Sequence, residues 1–167
     1  AEPGQRQGDL RMTQLIDAAL LDAVSAEARL SPRRRRNRNF HRNDDQPGHR
    51  LLNALEPGTY IMPHRHLEAD KDETIVVLRG RVGLVIFDDQ GGVLSATVLA
   101  AGAAVLGADL THGTWHTLVC LEGGTVFLEA KAGPYRPLTE AEKAAWAPAE
   151  GDPAAAAYLD QLARRFV

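Results

Sequence analysis

Only one cysteine, Cys120, occurs in 167 residues. That excludes an internal disulfide framework and suits a reducing compartment. No uninterrupted apolar run reaches the roughly 18 residues a membrane span needs, so no membrane partner is expected. Positive charge is not in excess. Against 19 Lys and Arg stand 22 Asp and Glu, a formal charge of −3 with a pI near 6.1, which argues against a general nucleic-acid binder. The opening residues lack the basic-then-apolar order of a secretory signal, and the cytoplasm is the expected compartment. What remains is ordinary for a globular chain: 44% hydrophobic and 25% charged residues in 18.1 kDa, enough for one well-packed domain.

Residues 1–11 read as a tail or a tag remnant. Residues 12–32 read as an N-terminal helical extension, with Leu15, Ile16, Ala19, Leu20, Ala23 and Val24 on one stripe of a helix over 12–29. Ser31-Pro32 stops it, because the residue before proline is pushed out of the α region. The basic run Arg33 to Arg36 with Arg38 has two readings. One is a phosphate or polyanion patch; the other, favoured by the net acidic chain, is a connector whose arginines pair with carboxylates elsewhere.

Residues 33–138 read as a β domain. Short apolar runs at 50–55, 60–66, 73–78, 82–87, 93–99, 105–110, 115–120 and 125–131 predict eight strands, separated by turn signals such as Glu56-Pro57-Gly58-Thr59 and Asp88-Asp89-Gln90-Gly91-Gly92. That many short strands call for a sandwich or a small barrel. Residues 139–167 return to helix. Thr139 with Glu142 predicts a capping box, Asp152-Pro153 a second helix start, and Tyr158, Leu159, Leu162 and Phe166 one buried face.

The chemistry is concentrated in four residues. His64 and His66 are two apart, and in a strand that spacing puts both rings on one face, about 6.6–6.8 Å apart along the chain. Both can lean onto one ion at about 2.0–2.1 Å. Glu73 can add a carboxylate oxygen and His116 a third imidazole. Three neutral nitrogens and one carboxylate suit a divalent transition metal better than Ca²⁺ or Mg²⁺. A histidine is more often a satisfied core or surface residue, and His41 and His49 are read as non-ligands. His112 is read as solvent-facing and Cys120 as a small core residue.

The spacing Gly58-x5-His64-x-His66, Glu73-x6-Gly80 and Gly113-x2-His116 resembles the two motifs of the cupin superfamily, a double-stranded β-helix of jelly-roll type. The flanking text is similar to the WbuC family of cupin-fold metalloproteins: Leu52-Asn-Ala-Leu-Glu-Pro-Gly-Thr-Tyr-Ile61, Pro63-His-Arg-His66, Lys71-Asp-Glu-Thr74 and Gly113-Thr-Trp-His-Thr-Leu-Val119. The resemblance implies a mainly β cupin barrel with His64, His66, Glu73 and His116 holding one divalent metal, Fe, Zn, Mn or Ni. The loop from His66 to Glu73 is longer than is usual there, so Glu68 is a rival carboxylate; Glu73 keeps the expected distance to Gly80.

Four protein ligands on an octahedral ion leave room for water, substrate or O₂. Three readings follow: Lewis-acid chemistry on a small sugar or organic acid, a mononuclear Fe dioxygenase, or a metal-dependent module that binds its ligand without changing it. Tyr60, sharing strand parity with His64, is the candidate catalytic side chain. Arg50 and Glu129 are the candidate substrate-binding residues, for an anionic group and for acid–base work. The WbuC resemblance tilts the small-molecule ligand toward a sugar derivative, and a homodimer is expected over a monomer.

Overall fold

Asp17 sets where the first element begins. In the computed structural model, which describes residues 13–167, its carboxylate accepts from the Leu20 amide at 2.9 Å and opens helix α1, Ala18–Leu30. The helix is therefore shorter than predicted, and its buried face is Leu20, Leu21, Val24, Ser25 and Ala28; Leu15 and Ile16 precede the cap and lie exposed. The expected tail at 1–11 falls outside the described residues.

Eight strands follow: β1 Arg35–Asn39, β2 Gly48–Leu55, β3 Glu73–Arg79, β4 Arg81–Phe87, β5 Val93–Ala100, β6 Gly107–Leu110, β7 Trp115–Cys120 and β8 Thr125–Ala132. They form a five-stranded sheet in the order β1-β2-β8-β3-β6 and a three-stranded sheet β5-β4-β7, with every pairing antiparallel. Beyond β7 the His64 segment supplies a fourth position. His64 and His116 exchange backbone hydrogen bonds at 3.0 Å in both directions. The chain thus passes from β2 to this segment, back to β3, across to β4 and β5, back to β6, across to β7 and back to β8. Strands that alternate between two facing sheets in this way make a jelly roll, the architecture of cupins. Among the described residues no helix is long and apolar enough to cross a membrane.

Residues 60–66 do not form the predicted strand. Pro63 offers no amide to a ladder, so pairing is confined to the bridge at His64, and the Thr117 hydroxyl donates to the Ile61 carbonyl instead. The far side of the segment is covered by residues 141–144. Arg65 donates its amide to the Glu142 carbonyl at 3.0 Å and Ala144 donates to the Pro63 carbonyl at 3.1 Å. The predicted capping box is present, yet it opens only a 3₁₀ turn, Glu140–Glu142.

The sheets enclose Leu55, Ile75, Val77, Val82, Leu84, Leu99, Leu118 and Phe127. Helix α1 covers the outer face of β2 and β8 through Leu52, Ala54 and Val126. Arg79 clamps it there, donating to Asp22 at 2.6 Å and to Ser25 at 2.8 Å. Gly80 turns β3 into β4 at φ +81°, where a side chain would run into the Thr125 backbone. Helix α2, Ala155–Ala163, packs Leu162 with Val85, Phe87, Trp115 and Val119 on the smaller sheet, and partly buried Tyr158, Leu159 and Phe166 join that cluster.

Candidate metal centre

Strand alternation decides which side chains reach the interior. On β3, Glu73, Ile75 and Val77 are buried while Thr74 and Val76 are exposed. Glu73 opens the strand on the inner face, opposite Lys131 of β8. His116 lies on β7, with His64 beside it through the bridge.

One ligand atom each from His64, His66 and Glu73 lies within 4.8 Å of the other two. The rings of His64 and His116 are 4.6 Å apart between centroids, those of His64 and His66 5.3 Å, and those of His66 and His116 6.3 Å. His116 Nε2 stands 3.7 Å from Glu73 Oε2. Two rings have their tautomer fixed from behind. His64 Nδ1 faces the Met62 carbonyl at 3.0 Å, and His116 Nδ1 faces the Thr114 carbonyl at 2.9 Å. A carbonyl only accepts, so each Nδ1 carries the proton and each Nε2 keeps its lone pair.

His66 Nε2 and Glu73 Oε2 are 3.0 Å apart, both are buried, and neither makes a hydrogen bond among the described residues. Buried polar atoms are costly when unpartnered, and a cation bound by both would satisfy them together. The donor set of imidazole nitrogen and carboxylate oxygen fits a divalent transition ion.

The electrostatics keep these groups ligand-ready. Burial, then the neighbouring His116, pushes His64 down to about 3, so its ring is neutral. His116 is also lowered, chiefly by burial. For Glu73, burial pulls upward, but His66, Lys131 and His116 together outweigh it and hold the carboxylate ionised.

Behind the histidines lies a cavity of about 170 Å³. Its polar wall is Asn37, Asn53, Glu129 and Lys131, and Ile61, Leu118 and Phe127 supply the apolar side. Glu129 accepts from Asn53 Nδ2 at 2.8 Å and its other oxygen is 2.8 Å from Lys131 Nζ. Burial, then the charge of Glu73, raises the Glu129 carboxyl.

Of the predicted site residues, His64, His66, Glu73, His116 and Glu129 are brought together. Tyr60 is not. Its hydroxyl donates to the Pro148 carbonyl at 2.6 Å and its ring meets Tyr158 edge-on at 6.2 Å. It serves as a wall against the C-terminal segment, because residues 60–63 do not keep strand parity with His64. Arg50 is likewise out of place: it is exposed and shares the outward parity of Leu52 and Ala54 on β2. Glu68 lies exposed in its loop, and the cluster contains Glu73 instead. His41 and His49 stack on each other at 3.8 Å, and exposed His112 pairs with Asp72. Cys120 is buried, with Sγ 3.1 Å from the Glu122 carbonyl. Asn53 and Lys131 are the residues sequence reasoning missed. An asparagine between Leu51 and Leu55 on an inward face was the available signal.

The conserved SPY1581 protein of unknown function from Streptococcus pyogenes superposes with TM-score 0.47 at 17% identity, over 64% of this chain and 80% of that one. KdgF from Halomonas sp. superposes with TM-score 0.48 at 18% identity, over 64% and 85%. A cupin-2 domain containing protein from Shewanella frigidimarina gives 0.43 at 20% identity, over 58% and 79%. No curated protein matches the chain. A family model described as a domain of unknown function (DUF6016) matches residues 16–99, a stretch that holds His64, His66 and Glu73, and the chain belongs to that family.

Proposed function

We propose that the protein is a mononuclear metal protein of cupin fold, in which His64, His66, Glu73 and His116 hold one divalent transition ion, Fe, Zn, Mn or Ni. The observation that carries this reading is the orphaned pair His66 Nε2 and Glu73 Oε2, buried 3.0 Å apart within a cluster of three ligand atoms. When bound, such an ion acts as a Lewis acid toward a carbonyl or water oxygen, or with iron supports O₂ chemistry.

The chain's own residues define the rest. A small ligand, a sugar derivative or an organic acid, enters the cavity and meets Asn53, Glu129 and Lys131 opposite the histidines. Glu129, raised by burial, is the group placed to hold or release a proton facing that ligand. The finer likeness to the WbuC family rests on the motif text around Pro63-His-Arg-His66 and Gly113-Thr-Trp-His116. A second reading is a binding module that leaves its ligand unchanged; it is favoured by Glu129 being already engaged by Asn53 and Lys131.

Elemental analysis of protein purified without added metal tests the proposal. One ion per chain is expected, falling toward zero in His64→Ala and Glu73→Ala and unchanged in Glu68→Ala. A full load in Glu73→Ala with an empty Glu68→Ala would overturn the ligand set.

A further inference from the structure

Beside the metal centre lies a larger cleft of about 560 Å³ that shares Arg35, Asn37, His64 and Lys131 with the cavity as lining residues. Among the described residues no aspartate or glutamate lines this cleft, although the chain as a whole is net acidic. Six cations do: Arg33, Arg35, Arg36, Lys71, Lys131 and Arg136. Three carboxylates reach them from outside the lining. Glu150 bridges Arg33 and Arg35 at 2.6 and 2.9 Å, Glu27 meets Arg36 at 2.9 Å, and Glu129 meets Lys131 at 2.8 Å. Three positive charges are left uncompensated among the described residues.

Lys71 makes the imbalance costly. It is only 7% exposed, and its ammonium donates to the Ala132 and Pro134 carbonyls, each at 2.8 Å, with no acidic side chain paired to it among the described residues. A buried charge without a counter-charge is unfavourable, and an anion in the cleft would supply one. The same two bonds hold the turn that presents Tyr135 and Arg136, both exposed, at the cleft. Arg136 donates from one of its guanidinium nitrogens to the Tyr135 carbonyl at 3.2 Å.

We infer that this cleft is the subsite for the anionic part of a small-molecule ligand, a phosphate or carboxylate group seated on Lys71 and Arg136 beside Arg33 and Arg35, whose two charges share one carboxylate, while the ligand's other end occupies the cavity beside His64. Guanidinium groups bind either oxyanion through paired N–H donors, so both carry the same recognition chemistry. The inference extends the metal reading without depending on it, since none of these cations belongs to the ligand cluster.

The test is calorimetric titration of the chelator-treated full chain, at fixed ionic strength, with sodium pyrophosphate and separately with citrate. Binding of one or both is expected, and the tighter probe assigns the phosphate or the carboxylate source. Arg136→Gln should weaken that binding about tenfold, roughly the loss of one charged hydrogen bond. Arg38→Gln removes the same charge from an exposed β1 residue that lines neither the cavity nor the cleft, and should leave Kd within about twofold. If neither probe binds at millimolar concentration, or if Arg38→Gln weakens binding as much as Arg136→Gln, the subsite is overturned. Because metal is absent throughout, that failure leaves the metal assignment standing, and an empty metal site would leave this one standing.

Discussion

His66 Nε2 and Glu73 Oε2 face each other at 3.0 Å inside the protein, and neither has a hydrogen-bond partner among the described residues. A cation bound by both atoms would satisfy them together. Metal added to chelator-treated protein should therefore raise thermal stability. At a thousandfold excess over Kd the gain is about 4 kcal/mol, or a Tm rise of roughly 10 °C for a domain of this size. Scanning fluorimetry with and without chelator measures it; no shift with any of Fe, Zn, Mn or Ni contradicts the site.

Tyr60 is assigned to the wall and not to the chemistry. Tyr60→Phe removes the hydroxyl that donates to the Pro148 carbonyl. Stability should fall by about 0.5–1.5 kcal/mol, with metal content and ligand affinity unchanged. Urea unfolding beside metal analysis separates the two; lost metal with intact stability would return Tyr60 to the site.

Glu142 holds the histidine segment in place from behind. Its carboxylate accepts from the Leu67 amide at 3.0 Å, directly after His66, and from the Thr139 amide at 2.9 Å. Glu142→Ala frees that end of the segment. Metal affinity should fall about 10–100-fold, as when an outer-shell support is removed. Competition against a chelator of known strength reads the change.

The Glu150 carboxylate, shared by Arg33 and Arg35, gives a pH dependence of known sign. The Arg33 hydrogen bonds lower its pKa most; partial burial opposes them, Arg35 adds to the lowering, and the result is about 2 against an ordinary 4.5. On acidification the unfolded chain takes up the proton first. The pair's contribution is therefore present above about pH 4.5 and lost as the pH falls toward 2. With the side chain 40% exposed, the amount is about 1 kcal/mol or less. Glu150→Gln should lower the urea midpoint at neutral pH and leave it nearly unchanged near pH 2.

Cys120 should be chemically silent in the folded protein. Burial pushes its thiol up to about 11, so almost no thiolate exists at neutral pH. A chromogenic thiol reagent should react slowly with native protein and promptly once urea unfolds it.

Much of this architecture was readable from local text. Turn residues and β-branched runs placed seven of the eight strands, because a strand's face depends only on alternation along its own chain. Where alternation broke, the reading failed. Pro63 interrupts pairing in residues 60–66, so Tyr60 turned away from the cavity that its parity with His64 had suggested. Arg50 was misjudged for a related reason: nothing local says which face of β2 looks inward until β8 and α1 have packed against it.

By itself, the sequence determined most of the strands, the His64–His66 spacing and the turn at Gly80, since each is a property of neighbouring residues and their backbone preferences; the jelly roll was implied by the resemblance to cupins. Only the tertiary structure decided that Glu73 and not Glu68 meets the histidines, that Asn53, Glu129 and Lys131 form the opposite wall, and that scattered arginines and lysines line one cleft. Those choices follow from packing between strands distant in the chain, where burial and charge pairing act over contacts that no local spacing encodes.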